Sequence, residues 1–454
     1  MNTTVSCLAV LAVVCLTACS SGSKDRLDST AGDCPAVGDL AVTFVKPFGS
    51  DGICQLSGTL TVNAVLRAGT DWRLDGTVQV GDSSSNPVLT VEAGATVRGD
   101  IDGSVVDYLY IFPGASLQSL GTAAAPVIFS SNDVDYELDP LTSGEWGGVV
   151  IEETALSQGS SRLEYTIVTE AGAAVTIGAN DYAANLSLHG PHSSTKLHYV
   201  QSHASGSDGI SFTAGDSNSN IARAGWILVT GTSRDGIYYK NFAGLLKDLL
   251  VIHGPGQFNT ISELGGRSGI RAAGADVAPL IVNATLFGND DDSVDGGIVG
   301  REFGIIFENF TNRARLANIA IVNFRNGCYE VGSNVDLGDL TLNDPPATNS
   351  ANFVDGTHCI NEKTLGDNLL GVVRADGMDA GVDIPNDPAG VDLLGFNDNG
   401  DGMQGYSSGG NAFFAGEVGI VGFTASWFLD SMAGLANGGA GLNRYNGGDT
   451  DDSG

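Results

Sequence analysis

Basic residues are scarce in this chain. Its 454 residues include 21 Lys and Arg against 53 Asp and Glu, a formal net charge of −32. Such a chain repels phosphate backbones, which argues against nucleic-acid binding. Aromatic residues amount to only 7%, yet 42% of residues are hydrophobic, so this is not a disordered polymer. No CxxC spacing occurs, which argues against a thiolate metal site. No unbroken apolar run reaches the roughly 20 residues of a membrane-spanning helix. The apolar stretch 413–435 is interrupted by glycines and by Glu417. The middle of the chain also lacks a long 3.6-residue periodicity, so helical packing does not organise it.

What is present is a series of short β-rich bursts separated by Gly, Asn, Asp and Ser, with 64 glycines in all. Five bursts share a small motif: SDGISF (207–212), RDGIYY (234–239), RSGIRA (267–272), EFGIIF (302–307) and RNGCYE (325–330). Their glycines, Gly209, Gly236, Gly269, Gly304 and Gly327, are spaced by 27, 33, 35 and 23 residues. A second burst precedes most of them, as in WILVTG (226–231) and LLVIHG (249–254), and LEYTIVTEAG (163–172) begins an earlier copy. One unit is therefore strand, turn, strand, turn, with loops of variable length. A pair of strands this short cannot bury its own apolar face, but stacked coils bury a continuous core. The recurring glycine supplies either positive φ or close backbone packing at a corner. A propeller or β-sandwich competes, but blades of about 40–50 residues with four strands fit these spacings less well.

These features resemble the right-handed parallel β-helix of the pectate-lyase-like fold. Three phrases, PVLTVEAGATVRGD (87–100), DYLYIFPGASLQSLGTAAAPVIFSS (107–131) and GEWGGVVIEETA (144–155), resemble the opening coils of β-helix lipoproteins and surface proteins of Gram-negative bacteria. That resemblance implies a fold and a location, with Pro126 ending a turn, Trp146 packing over a corner, and Gly147 and Gly148 bending the chain. The fold class expected is thus all-β, a solenoid with an N-terminal cap and an irregular C-terminal region.

The N-terminus carries a ten-residue apolar run, Cys7 to Leu16, then Leu16-Thr17-Ala18-Cys19. The length suits the core of a secretory signal. The ending resembles the bacterial lipobox, which implies cleavage after Ala18 and lipidation of Cys19. Ser20 follows, with no Asp there, which by the same resemblance implies sorting to the outer membrane. The segment Met1 to Ser6 departs from the pattern in having no Lys or Arg. Several acyl chains together give a stable anchor. The expected organisation is a signal at 1–18, a tether at 19–33, a cap at 34–86, the β-helix at 87–360, and a Gly/Asp-rich C-terminal region at 361–454.

Beyond the signal and Cys19, four cysteines remain: Cys34, Cys54, Cys328 and Cys359. An even number in an exported chain points to disulfides, with three pairings open. Pairs Cys34–Cys54 and Cys328–Cys359 are favoured, because each brackets a short stretch near one end of the folded region.

No catalytic residue can be named from the sequence. Polysaccharide lyases on β-helices need a carboxylate cluster for Ca²⁺ and an Arg or Lys base. Basic residues do occur in the coils, at Arg223, Arg234, Lys240, Arg267, Arg271 and Arg301, but no carboxylate cluster visibly recurs beside them. The polygalacturonase-like motifs NTD and RIK are absent, and His253-Gly254 precedes Asp290 to Asp292 in the wrong order. His189, His192, His198 and His203 cluster locally, and a transition-metal site at His189 and His192 stands against ordinary surface histidines. Alternation places His198 on the face opposite Leu197 and Tyr199. Three oxygen-rich loops suit calcium, which takes about 6–8 oxygen ligands. They are Asp133 to Asp139, Asp290, Asp291 and Asp292, and Asn397, Asn399 and Asp401. The last resembles the start of a calcium loop but has Ser408 where an EF-hand has Glu.

Three functions are compatible with this reading: a surface-anchored β-helix with a binding, adhesion or structural role toward glycans or other surface partners, a polysaccharide lyase or hydrolase on the same scaffold, and a subunit working with an outer-membrane transporter. An Arg or Lys facing two carboxylates in a flank pocket favours the enzyme. A flat flank of Thr, Ser and Asn favours binding.

Overall fold

The computed structural model describes residues 34–46, 52–102, 104–132, 144–153, 161–192, 194–213, 223–242, 244–253, 267–274, 280–288, 302–308, 315–322, 324, 327–331, 353–360 and 372–374. Among them there are strands and turns and no helix. The N-terminal coils contain β1 (Ala41–Val45), β2 (Ile53–Leu60), β3 (Ala64–Leu66), β4 (Asp71–Val80), β5 (Val88–Glu92), β6 (Thr96–Gly99), β7 (Ile101–Asp102), β8 (Val105–Val106), β9 (Tyr108–Ile111), β10 (Ser116–Leu120), β11 (Val127–Ser131) and β12 (Val149–Glu152). From there, long and short strands alternate. The long ones are β13 (Arg162–Thr169), β17 (Lys196–His203), β19 (Arg223–Thr230), β21 (Leu245–Ile252), β23 (Leu280–Phe287), β25 (Arg315–Val322) and β27 (Phe353–Ile360). The short ones are β16 (Ala184–His189), β18 (Asp208–Thr213), β20 (Ile237–Lys240), β22 (Arg267–Ala273), β24 (Glu302–Glu308), β26 (Gly327–Val331) and β28 (Val372–Arg374), and a hairpin, β14 (Val175–Ile177) and β15 (Asn180–Tyr182), is inserted before β16.

Long strands pair with the next long strand and short with the next short, always in parallel. Twenty-four strands join one continuous sheet, and its antiparallel pairing is β1 on β2. This is a parallel β-helix. Parallel coiling begins with β2 on β4 and is still running at β28 on β26, so coils occur on both sides of the expected 87–360 limits.

Each coil has three faces because the long strands bend. Pairing along β13, β17 and β19 skips Tyr165, Tyr199 and Trp226, which take φ of 44°, 57° and 59°. Left-handed backbone at three bulky residues is uncommon and marks a tightly determined corner. The bend also resets the alternation: Leu197 points inward, whereas Tyr199 is half-buried and stacks between Tyr165 and Trp226. Tyr199 therefore leaves the face that simple alternation gave it.

One continuous apolar column fills the interior, from Leu56 and Trp72 through Phe129, Leu186 and Ile237 to Ile305. Each fully buried aliphatic side chain contributes roughly 1.5–3 kcal/mol. Trp146 is fully buried beside Gly99, and its indole N–H donates to the carbonyl of Thr169 at 2.9 Å. The motif glycines serve close packing. A Cβ on Gly209, Gly236, Gly269 or Gly304 would lie 2.6–2.8 Å from the carbonyl oxygen of Gly236, Gly269, Gly304 or Cys328 respectively, one coil on. At the N-terminal end, Cys34 and Cys54 form a disulfide.

Candidate functional site

Several sequence-derived candidates lie outside the described residues: Cys19, Arg301, the Asp133 to Asp139 loop, Asp290, Asp291 and Asp292, and Asn397, Asn399 and Asp401. Arg223, Arg267 and Cys359 are placed by backbone alone. Cys328 is fully buried and disulfide-bonded.

The four histidines do not converge. His189 Nδ1 meets Thr213 Oγ1 at 2.8 Å, His192 Nδ1 meets Ser194 Oγ at 2.5 Å, and buried His203 meets Thr230 at 2.7 Å. Burial pulls the His203 imidazole down to about 4. His198 lies beside the Tyr199 ring, with centroids 4.4 Å apart. Among the described residues, no group of three or more His, Cys, Asp or Glu is arranged to hold a metal.

The third face, built by the short strands, gathers the most chemistry. Register aligns one residue per coil: Glu152, His189, Thr213, Lys240, Ala273 and Glu308. Coils of parallel strands stack about 4.8 Å apart, so these positions form an axial column. Apart from Ala273 they are half-buried or exposed.

At one end of the column the β14–β15 hairpin leans on the face. Val175 and Tyr182 join Tyr110 and Val150 in an apolar cluster separate from the interior. Tyr110 donates its hydroxyl to one Glu152 oxygen at 2.5 Å, and Tyr182 donates to the other. Burial, and then the carboxylate that each hydroxyl serves, push both phenols well above their usual range. His189 packs edge-on against Tyr182. Burial holds its imidazole below the usual value, with Lys240 acting in the same direction and Glu152 against it. A neutral imidazole carries one N–H donor and one acceptor nitrogen. The hydrogen bond between His189 Nδ1 and the Thr213 hydroxyl can run in either direction.

At the other end, two of the basic residues, Arg234 and Arg271, do face carboxylates, contrary to the sequence expectation. Arg234 binds Asp208 through Nε and Nη2, with Nε at 2.7 Å. Arg271 Nη1 lies 3.5 Å from Asp235, while its Nε and Nη2 bind Glu308 at 3.2 and 2.9 Å. Tyr238 sits within cation–π range of both guanidiniums, at 5.9 and 5.5 Å. Asp208 and Asp235 are buried at 1% and 0% exposure and hold the turns: Asp208 accepts from the Asp235 amide, and Asp235 accepts from the Ser268 amide and hydroxyl. This cluster escaped the sequence because partners sit 26 or 37 residues apart, one coil away, and coil length varies.

A third feature is the Tyr165–Tyr199–Trp226 stack. Its rings lie 4.4 and 5.1 Å apart, so no sugar ring fits between them, and the stack is a structural corner.

One family comparison agrees with the pairing geometry. Residues 58–162 match the pectate-lyase like beta helix domain. Among solved structures, a point mutant of the periplasmic alginate epimerase AlgG is similar over 71% of this chain and 84% of that chain, at 9% identity and a TM-score of 0.27. No curated protein matches the chain.

Proposed function

We propose that this chain is an exported, lipid-anchored protein that binds a glycan along its third face. The observation that carries the reading is the column Glu152, His189, Thr213, Lys240 and Glu308, polar or charged groups on aligned coils with Ala273 interrupting it between Lys240 and Glu308. A linear polymer laid along the axis meets such a group on each successive coil from Glu152 to Lys240. Tyr110 and Tyr182 fix the Glu152 carboxylate in place, and a preorganised polar group is what a hydroxyl-rich ligand requires. The matched family, named for pectate lyase, supports a polysaccharide ligand. The test is a glycan array with the full-length chain in detergent, coupled to product analysis of every hit. Binding without cleavage is expected, and no binding to any glycan would sink the reading.

A second reading, a polysaccharide lyase or hydrolase, draws support from two observations. Glu152 and His189 occupy neighbouring register positions in adjacent coils, and Arg271 faces both Asp235 and Glu308. New chain ends in the product analysis would establish it.

The anchor is Cys19, and the Cys34–Cys54 bridge supports an oxidising compartment outside the cytoplasm. The outer membrane is the membrane we infer, and a partner there is compatible with the same face. Mass spectrometry of the mature N-terminus decides between an acylated Cys19 and an unmodified chain. The second bridge is Cys328–Cys359 in this reading, and peptide mapping without reduction tests it. Calcium at Asp290, Asp291 and Asp292, or at Asn397, Asn399 and Asp401, is dropped if Ca²⁺ and EDTA give the same melting temperature.

A further inference from the structure

Basic residues number 21 against 53 acidic ones in the whole chain, but the first face concentrates them. That face is built by the leading halves of the long strands, up to the corner residues Tyr165, Tyr199 and Trp226. Register stacks Arg162 of β13, Lys196 of β17 and Arg223 of β19 in one column. Two positions along, His198 is in register with Gly225, and Gly225 with Lys247 of β21. The acidic residues of these strand halves are Glu164 and, at the corner position, Asp248. Neighbouring coils lie about 4.8 Å apart, and like charges directly opposite one another repel unless an anion joins them. Lys196 is exposed and has no ion-pair partner among the described residues. Arg162 pairs with Glu164 at 2.5 Å, with its own side chain 45% exposed. An exposed pair of this kind contributes little and leaves the guanidinium able to meet another anion. On the third face, by contrast, Arg234 and Arg271 are tied to Asp208, Asp235 and Glu308.

We propose that the first face docks on the anionic headgroups of the phospholipid membrane to which Cys19 holds the chain. This rests on the lipid anchor proposed above. With a net charge of −32, most of the body is repelled by such a surface, so a tethered chain settles with its basic face down. Lys and Arg gain from an anionic leaflet only within about a Debye length, roughly 10 Å, which selects the face that lies closest. The reach is sufficient. Residues 19–34 span at most about 50 Å, and Lys196 stands four coil steps from β3, about 20 Å along the axis. In this pose the third face points away from the membrane and stays open to a ligand.

The test uses the mature full chain in two vesicle preparations, phosphatidylcholine alone and phosphatidylcholine with phosphatidylglycerol. Flotation with the neutral vesicles reports the anchor, and mass spectrometry of lysine acetylation then reports the face. An anionic surface keeps an ammonium protonated, so Lys196 should be acetylated about threefold or more slowly on the anionic vesicles, and raised salt should restore the rate. Lys240, exposed on the third face, should react at the same rate on both. A chain that does not float with neutral vesicles overturns the anchor and the docking with it. A floating chain whose Lys196 reacts equally on both preparations, or whose Lys196 and Lys240 slow together, overturns the docking and leaves the anchor standing. Protection of Lys196 by soluble polyphosphate but not by vesicles also overturns it, and assigns the face to a soluble polyanion.

Discussion

In the first coils, burial alternates along most of β2, β4, β5 and β6. Cys54, Leu56, Trp72, Leu74, Val78 and Val80 point inward, while Gln55, Arg73 and Gln79 between them remain half-exposed. From β13 onward the alternation fails on the second face. Thr166 to Thr169, Val200 to His203 and Ile227 to Thr230 are all buried. Ile167, Leu228 and Leu250 lie outside the interior cluster yet are no more than 2% exposed. The electrostatics differ in the same way. The N-terminal coils carry ion pairs such as Arg98–Asp71, whose carboxylate side chain is 38% exposed, whereas Arg234 serves an Asp208 that is 2% exposed. One stacking principle thus yields an outer coil solvated on one side and a middle section buried on both, where close backbone approach and paired charges become obligatory.

The sharpest break in this comparison comes from glycine. Gly236→Val places a side chain 2.5 Å from Val251 and 2.7 Å from the Gly269 carbonyl, and we expect a loss of about 3 kcal/mol or more in denaturant unfolding. Gly58, with φ of 93° and open space around it, should lose only about 1 kcal/mol as Ala, the cost of left-handed backbone. Equal losses would erase the distinction between the regions. Next comes charge. Arg234→Gln strands buried Asp208 and should cost about 3 kcal/mol. Arg98→Gln, beside an exposed partner, should cost less than about 1 kcal/mol. Of similar size is the staple of the N-terminal coils: Cys34→Ser with Cys54→Ser opens a bridge across a separation of 20 residues, for a loss of about 3 kcal/mol by loop entropy.

The comparison also carries a pH slope. The folded protein holds the Asp235 proton up to about 7, well above an unfolded carboxylate. Its contribution to stability is therefore greatest below about 4 and declines as pH rises to about 7. His203, pulled down to about 4, acts oppositely, since stability is lost as pH falls from about 6.5 through that value. Asp235→Asn isolates the first slope: its difference from wild type must change between pH 4 and 7, and a constant difference contradicts the assignment.

The recurring bursts made the solenoid legible, because strand pairs too short to form a core alone must stack. The motif glycines were legible as a corner, and the structure selects close packing over positive φ. The first disulfide was legible from bracketing. The left-handed corners at Tyr165, Tyr199 and Trp226 were not, since no Gly or Asn marks them. Nor were the Arg–carboxylate pairs, whose partners meet only after a coil of variable length. Tyr182 was hidden for a different reason: it reaches Glu152 from an inserted hairpin, outside the repeat.

We propose above that the third face is the binding surface. It is tested most directly by calorimetric titration of the strongest array glycan into wild type, Lys240→Glu and, as a control on the N-terminal coils, Arg98→Glu. Affinity at least about tenfold weaker is expected for Lys240→Glu, about 1.4 kcal/mol, and unchanged affinity for Arg98→Glu. Equal affinity in wild type and Lys240→Glu would contradict the proposal.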